Sequence, residues 1–515
     1  MKKNFSFLLI LLSLLSFGQV EEKKLDELIQ NTLKTFDVPG MSVGIIKDGK
    51  IVYAKGFGVN SLSAKNKMDA NTLVGIASNS KGFTGTALAI LADEGKLNWD
   101  DKVTKYIPEF QMYDPYLTHE VTVKDLVTHR TGLGLGQGDL MFFPEGGNLT
   151  VKDIVHNVRY LKPENRFRST LDYNNIMFIV AGEVITRISG LTWAEFIEQR
   201  ILKPVGMNAS YGSYSRAKKA GVSNIIDAHA PVDGKAVMVP HDWNETANAA
   251  GGIISNITDM MTWADFLMNG FTTKDGKKLV SDKQIQQLWN LQISTPVALK
   301  NTYNSNFAGY GLGWFLTDVK GHKQVYHTGG LIGTVTQFTL IPDLKLGIVV
   351  LTNQQSGAAF STITNTVKDS YLGMPDQNWL KTYGDRMAKY NADIEKGKKE
   401  VFAKSAAFAK QKNQQIKPAQ ITGTYNDKWF GDVNLSHDGK TFRIVCQNSP
   451  RLKGELIPYT PNVMIVKWDD RSYDADAFMN FNLDENGKAQ SATLKPISDI
   501  TDFSFDFEDL DLRKK

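Results

Sequence analysis

The strand pattern of this chain comes in two blocks far apart, and that separation constrains its fold most. Residues 41–59 alternate apolar and polar positions around Lys47-Asp48-Gly49-Lys50, and Asp-Gly between such runs is a strong hairpin signal. Strand pattern then lapses until residues 311–318, 323–327, 335–341 and 347–351, separated by turn-like breaks at Lys320-Gly321 and Pro342-Asp343. The interval carries helix patterns instead, clearest over 122–128, 151–160, 193–201 and 258–268. An antiparallel sheet split by a helical insertion is therefore predicted, an α+β fold with chemistry drawn from both halves. A cleft between two lobes is where a ligand site is expected.

The first chemical signal stands at the start of an apolar, alanine-rich helical run. Ser78-Asn79-Ser80-Lys81 puts a hydroxyl and an amine at i and i+3, on one helix face. A serine hydroxyl is a weak nucleophile until a base takes its proton, and a lysine does so only where its pKa is depressed. At the helix start the backbone N–H of Ser78 would also point toward a carbonyl under attack. Alone, the pair is equally satisfied by a capping serine and a solvated lysine. Two later segments change that. Leu171-Asp172-Tyr173-Asn174-Asn175 precedes an apolar stretch, and Val325-Tyr326-His327-Thr328-Gly329-Gly330 lies between strand-like runs.

The order Ser-x-x-Lys, Tyr-x-Asn, then His-Thr-Gly resembles the serine beta-lactamase and penicillin-binding protein superfamily. It resembles most its class C beta-lactamase-related branch, with D-alanyl-D-alanine carboxypeptidases, D-aminopeptidases and esterases. Matching flanks are Leu126-Val127-Thr128-His129-Arg130-Thr131-Gly132-Leu133, Ala250-Gly251-Gly252, Tyr310-Gly311-Leu312-Gly313-Trp314 and Leu351-Thr352-Asn353. The resemblance covers residues 25–372 and implies a sheet flanked by helices beside an all-helical lobe. It implies acyl transfer without a cofactor: Ser78 attacks, and Lys81 accepts the proton or keeps Tyr173 ionised. Asn175 would bond the Lys81 amine and a substrate amide. His327, Thr328, Gly329 and Gly330 would bind substrate, Gly329 by admitting its backbone to the strand edge. The N–H groups of Ser78 and Gly330 would form the oxyanion hole. A tyrosine becomes a base only beside positive charge, for which Lys81 and His327 are the candidates. Beta-lactamases usually carry Lys where His327 stands, and a neutral imidazole holds a carboxylate less strongly. A peptidase for small peptides with D-amino acids is thus expected, with an esterase or a beta-lactamase as alternatives. A non-catalytic penicillin sensor or polymer-binding protein is the alternative of another class.

Composition sets the frame. A chain of 515 residues exceeds one ordinary core, and a net charge of +4 gives no argument for nucleic acid. Residues 1–18, with Lys2, Lys3, an apolar core and Ser16-Phe17-Gly18, look like a signal peptide cleaved before Gln19. A periplasmic or secreted protein is expected, with no stable membrane span after cleavage. Cys446 is the one cysteine, so no internal disulfide forms, and it reads as a small core residue of a strand. The histidines show no paired ligand spacing, so no metal is expected. His129 reads as support near the cleft, and the Gly-rich lobe 134–148, with Phe142 and Phe143, as its entrance. The partners expected are a small peptide, ester or beta-lactam, with oligomeric state open. Beyond a hydrolase domain at 19–375, residues 376–415 read as a solvated connecting helix. Residues 416–515 read as a small β-barrel, seven short strands resembling a lipocalin-like accompanying domain.

Overall fold

The computed structural model describes residues 20–240, 245–411 and 414–515, so the leader-like segment lies outside the described residues. The predicted hairpin is present as β1 (Gly40–Lys47) and β2 (Lys50–Gly58). The later block supplies β3 (Ile293–Thr295), β4 (Ala308–Tyr310), β5 (Phe315–Val319), β6 (His322–Leu331), β7 (Thr334–Ile341) and β8 (Leu346–Thr352). The two blocks join where β1 pairs with β8, giving one eight-stranded sheet ordered β2-β1-β8-β7-β6-β5-β4-β3. The stretch read as one strand at 311–318 is broken. Gly313 takes a left-handed φ of 89° there, and Trp314 turns inward against the central helix.

Alternation along β8 shows how the sheet is covered. Ile348 and Val350 face one apolar core with α1 (Glu22–Thr35) and α5 (Gly357–Tyr371). Val349 and Leu351 face the other, with α2 (Ser80–Asp93), α3 (Ile176–Ser189) and α4 (Ile257–Met268). Helix α2 is buried from Ser80 to Leu91, so it has no polar face and runs through the middle of its core. Gly82 permits this, since a Cβ there would lie 2.2 Å from the Trp314 ring. Fully burying an aromatic of that size stabilises the fold by about 1.5–3 kcal/mol, which a bulkier residue 82 would forfeit.

The lobe is braced by one buried carboxylate. Asp125 caps its short helix with Thr122, takes 2.8 Å from Arg130 Nε, and takes 2.9 and 2.6 Å from Arg168. Those arginines tie the His129 loop to the loop before Tyr173, where Arg168 N donates to Arg130 O and Asp172 N to His129 O. Burial pulls the Asp125 carboxyl up, but the Arg168 bond, the Thr122 hydroxyl and the Arg130 charge outweigh it, leaving it below the usual range. Its folded value is lowered, so its stabilisation is present above the unfolded value of about 3.9 and lost as pH falls below it. Asp125→Ala is expected to lower stability by about 1–3 kcal/mol at pH 7, because the half-buried Arg130 and the exposed Arg168 lose the one buried acceptor that ties their loops together. Urea unfolding at pH 7 and at pH 3 checks this, and the gap to wild type should narrow in acid.

A 30-residue helix, α6 (Trp379–Phe408), mostly open to solvent, leads to a closed antiparallel barrel. Its strands run β9 (Gly423–Asp427), β10 (Gly431–His437), β11 (Phe442–Cys446), β12 (Lys453–Thr460), β13 (Val463–Trp468), β14 (Ala477–Leu483), β15 (Ala489–Pro496) and β16 (Leu512–Lys514). The last was not foreseen, because Leu-Arg-Lys is too short to show a period. It closes the barrel by pairing with both β9 and β15. The lumen is filled by side chains such as Trp468, Phe430 and Leu456, and Leu140 of the helical lobe plugs one end. Only about 10 Å³ stays empty there, room for at most one water. Between β15 and β16 the chain leaves the barrel and reaches into the cleft of the first domain.

Candidate active site

Ser78 sits on a tight turn ahead of α2, and the turn is held in a conformation L-residues seldom adopt. Ala77 has a φ of 49°, a strain of about 1–3 kcal/mol that neighbours must hold in place. Asn79 Nδ2 donates to Ile76 O at 3.1 Å and to Thr336 Oγ1 at 2.8 Å, and Thr336 Oγ1 donates to Ile76 O at 3.0 Å. Gly329 of β6 presses on the same turn, for a Cβ there would lie 2.3 Å from Ile76 O and 2.9 Å from Ala77 Cβ. Gly329 thus seats the nucleophile turn, a role its sequence reading did not include. Gly330 is the open position, exposed, with nothing near its absent Cβ, and it lines the cleft. Strand β5 pairs with β6 only along residues 322–326, so the β5-side edge of residues 327–331 faces the cavity.

Lys81, the second residue of α2, is fully buried. Its Nζ lies 2.9 Å from Ser78 Oγ, 2.7 Å from Asn175 Oδ1 and 2.8 Å from Ala250 O. Two of these partners are carbonyl oxygens and only accept; the hydroxyl can also donate. A neutral amine spends two hydrogens on the carbonyls, which leaves its lone pair for the Ser78 hydroxyl. Burial lowers the Lys81 pKa to about 7, against a pull upward from Asp139. The amine is therefore substantially neutral at physiological pH, which the Ser-x-x-Lys spacing alone could not establish.

Tyr173 lies beside this pair, its hydroxyl hydrogen-bonded to Ser78 and its ring 4.9 Å from Lys81 Nζ. Burial raises its pKa, the Ser78 bond opposes that, and the charge of Asp139 adds to it. The phenol keeps its proton. His129 packs on the Tyr173 ring at 4.2 Å, and its Nδ1 accepts the Asn174 N–H at 3.0 Å, the support expected of it.

His327 differs from its expected role as a positive charge. Its Nδ1 is 2.6 Å from Thr328 O, a carbonyl that can only accept, so Nδ1 carries the hydrogen. Nε2 is left to accept from the Tyr310 hydroxyl at 2.9 Å. Both nitrogens are occupied, and burial, helped by the Lys81 charge, pushes the imidazole down to about 3. His327 is a neutral wall of the cleft. It cannot support an ionised Tyr173.

Asn175 Oδ1 faces Lys81 while its Nδ2 donates to Asp139 Oδ2 at 2.7 Å, which leaves one amide hydrogen for a substrate. Asp139, inside the lobe read as the cleft entrance, is wholly buried. Burial lifts its carboxyl to about 7 against hydrogen bonds from Asn175 and Ser504 and the charge of Lys81. Ser504 belongs to the loop from the barrel, and its Oγ donates to Asp139 Oδ2 at 2.8 Å. The same loop sets Phe503 edge-on to Tyr173 at 5.9 Å and packs Phe505 on Phe143 at 4.9 Å. Sequence reasoning missed Asp139, Tyr310, Asp502, Phe503 and Ser504. Tyr310 and Asp139 lay in segments singled out for other reasons; nothing marked the acidic loop near the C-terminus.

These groups surround a cavity of about 310 Å³. Ser78, Tyr173, Asn175, His327, Thr328 and Gly330 line it beside Phe142, Phe143, Phe315 and Phe503, and among the described residues Asp502 is the one acidic side chain on its wall. Among the described residues no cluster could hold a metal ion, and no single helix is long and apolar enough to cross a membrane.

Comparison with known proteins agrees with this fold and its two domains. A family described as Beta-lactamase matches residues 25–372, and a domain of unknown function, DUF3471, matches residues 410–514. The unguisins hydrolase ungD' of Aspergillus campestris is 28% identical over 388 residues, 72% of this chain and 69% of that protein. Protein flp of Staphylococcus aureus is 26% identical over 339 residues, 65% of this chain and 64% of that protein. The octameric penicillin-binding protein homologue of Pyrococcus abyssi has the same fold, with a TM-score of 0.61, 24% identity and coverage of 96% of this chain and 100% of that one. With a hydroxyl, a buried amine and a phenol converging on one cavity, this chain belongs to the beta-lactamase family of serine hydrolases, its DUF3471 domain forming the eight-stranded barrel.

Proposed function

We propose that Ser78 is the nucleophile of an acyl transfer in which Lys81 is the base, and that the substrates are small amides, foremost peptides containing D-amino acids. The observation that carries this reading is the set of three contacts of Lys81: when the amine is neutral, the two carbonyl oxygens take two of its hydrogens and its lone pair is left for the Ser78 hydroxyl. The Ser78 proton passes to Nζ as Oγ bonds to the substrate carbonyl carbon. The carbonyl oxygen gains charge between the N–H groups of Ser78 and Gly330, where each donor is worth about 100- to 1,000-fold in rate. The protonated Tyr173 delivers a proton to the departing nitrogen, Lys81 restores the balance, and water then releases the acyl group from Ser78 by the reverse sequence. Thr328 and the free β6 edge hold the substrate backbone.

The cavity wall sharpens the substrate class. His327 is neutral, and among the described residues no lysine or arginine lines the cavity, while Asp502, its carboxyl pushed up by burial, is the one acidic side chain on the wall. A substrate carboxylate finds no counter-ion there, which disfavours carboxypeptidase action and penicillin-like substrates. The aromatic lining suits apolar groups beside the scissile bond, and esters are the second class for the same reason. The hydrolase named for unguisins supports hydrolysis by this scaffold. The leader-like pattern of residues 1–18 supports export to the periplasm or medium.

A substrate panel tests the reading. D-amino-acid peptides with amidated and with free C-termini, p-nitrophenyl esters and nitrocefin are compared on wild type. Amidated peptides and esters should exceed free-carboxylate peptides and nitrocefin in kcat/KM by about tenfold or more, because a carboxylate taken into the cavity without a counter-ion is penalised. Preference for the free carboxylate would overturn the assignment of the wall.

A further inference from the structure

The barrel does more than sit beside the hydrolase domain. Its loop between β15 and β16 supplies a hydroxyl to an unbroken chain of hydrogen bonds ending at the nucleophile. Ser504 Oγ donates to Asp139 Oδ2 at 2.8 Å, Asn175 Nδ2 donates to the same oxygen at 2.7 Å, Asn175 Oδ1 accepts from Lys81 Nζ at 2.7 Å, and Nζ meets Ser78 Oγ at 2.9 Å. Every residue of this chain except Ser78 is buried.

We propose that Asp139 and Ser504 are positioning residues for the acyl transfer, Ser504 holding the Asp139 carboxyl and Asp139 holding the Asn175 amide and the charge balance at Lys81. The inference rests on the assignment of Lys81 as the base. An amide side chain offers Lys81 either an oxygen or an NH2, and only the oxygen can accept from it. Asp139 decides between them. Its Oδ2 accepts, so Nδ2 must face it and Oδ1 must face Lys81. Asp139 is itself seated by the barrel loop, since Asp506 accepts the N–H groups of Gly138 and Leu140 on either side of it.

Asp139 also acts on Lys81 through charge. An ionised Asp139 favours the ammonium form of Lys81, and the Ser504 bond favours ionised Asp139. Opposing that ionisation are the carboxyls of Asp502 and Asp506, from the same barrel loop. On the other side of Lys81 stand His129 and His327, both kept neutral by burial, and the protonated Tyr173. Losing the Ser504 hydroxyl therefore raises Asp139, removes negative charge near Lys81 and lets the amine lose its proton at lower pH.

The test is the pH profile of kcat/KM for p-nitrophenyl acetate with the full chain. Wild type should show an acidic limb near 7. Ser504→Ala should move that limb to lower pH by about half a unit, and Asp139→Asn by about one unit, the smaller end of the effect of a nearby opposite charge. Asp139→Asn should also lower the plateau kcat by about tenfold with KM within about twofold, because the Asn175 amide loses its director. Ser504→Thr keeps the hydroxyl and should keep the wild-type limb. Limbs that coincide with wild type in both Ser504→Ala and Asp139→Asn, even with a lowered plateau, would reduce these residues to packing and overturn the proposal. Should Asp139→Asn fail to fold, the contrast between Ala and Thr at 504 decides it. A wild type without any limb near 7 refutes the Lys81 assignment and the relay with it, a result distinct from an unmoved limb.

Discussion

Ser78→Ala should lower kcat on p-nitrophenyl acetate by about 10⁴- to 10⁶-fold, as removal of the nucleophile does in hydrolases whose catalytic groups act as a unit. What remains would come from binding and from the backbone N–H groups, which the substitution leaves in place. The fold should be almost unaffected. Ser78 is only half-buried, and the strain at Ala77 is held by Asn79, Thr336 and Gly329 rather than by the Ser78 side chain. A stability change within about 1 kcal/mol is expected, the worth of one hydrogen bond. Mass spectrometry after treatment with a fluorophosphonate should show one covalent adduct on wild type and none on the variant. Turnover surviving the substitution would remove Ser78 from the mechanism.

The parts of this site that were legible in the sequence are those carried by short, local patterns. The 78–81 pair needs only helical spacing, and β1 and β2 announce themselves by alternation around Asp48-Gly49. The split sheet was legible too, because two blocks of alternation with helices between them have few ways to share a core. What escaped was set by tertiary contact. His327 could be read as a cation until Thr328 O and Tyr310 were seen to fix its tautomer. Gly329 and Gly330 are adjacent glycines with opposite environments, one against the nucleophile turn and one open, and composition cannot separate them. Residues 499–511 drew no assignment of their own, because nothing local shows that Ser504 and Asp506 are buried against another domain. The barrel's filled lumen leaves no room for a ligand within, which the strand pattern could not show.

Lys81→Met is expected to cut activity steeply and to stabilise the protein, two effects with one cause. Burial lowers the amine from an ordinary 10.5 to about 7, so below pH 7 the fold keeps a buried ammonium that the unfolded chain would leave in water. The shift corresponds to a few kcal/mol of destabilisation, from about 1.36 kcal/mol per unit. Its sign follows from proton counting. Between 7 and 10.5 the unfolded chain binds the proton and the folded one does not, so wild-type stability rises with pH over that window. Methionine has a similar reach and no charge, so Lys81→Met should gain up to a few kcal/mol at pH 6 and lose the advantage as pH climbs. Its kcat/KM should fall by about 100- to 10,000-fold, the range of a lost general base. Lys81→Arg should also be inactive, since a guanidinium does not release its proton at any accessible pH, and without the stability gain. In wild type, kcat/KM should rise about tenfold per unit of pH below 7 and then level, because the neutral amine is the working form. A limb above 9 would point to ionisation of Tyr173 as the activating step. Chemical denaturation at pH 6 and pH 9 alongside the rate profiles reads both halves of the prediction, and a Lys81→Met protein no more stable than wild type at pH 6 would show that the amine is not held neutral by burial.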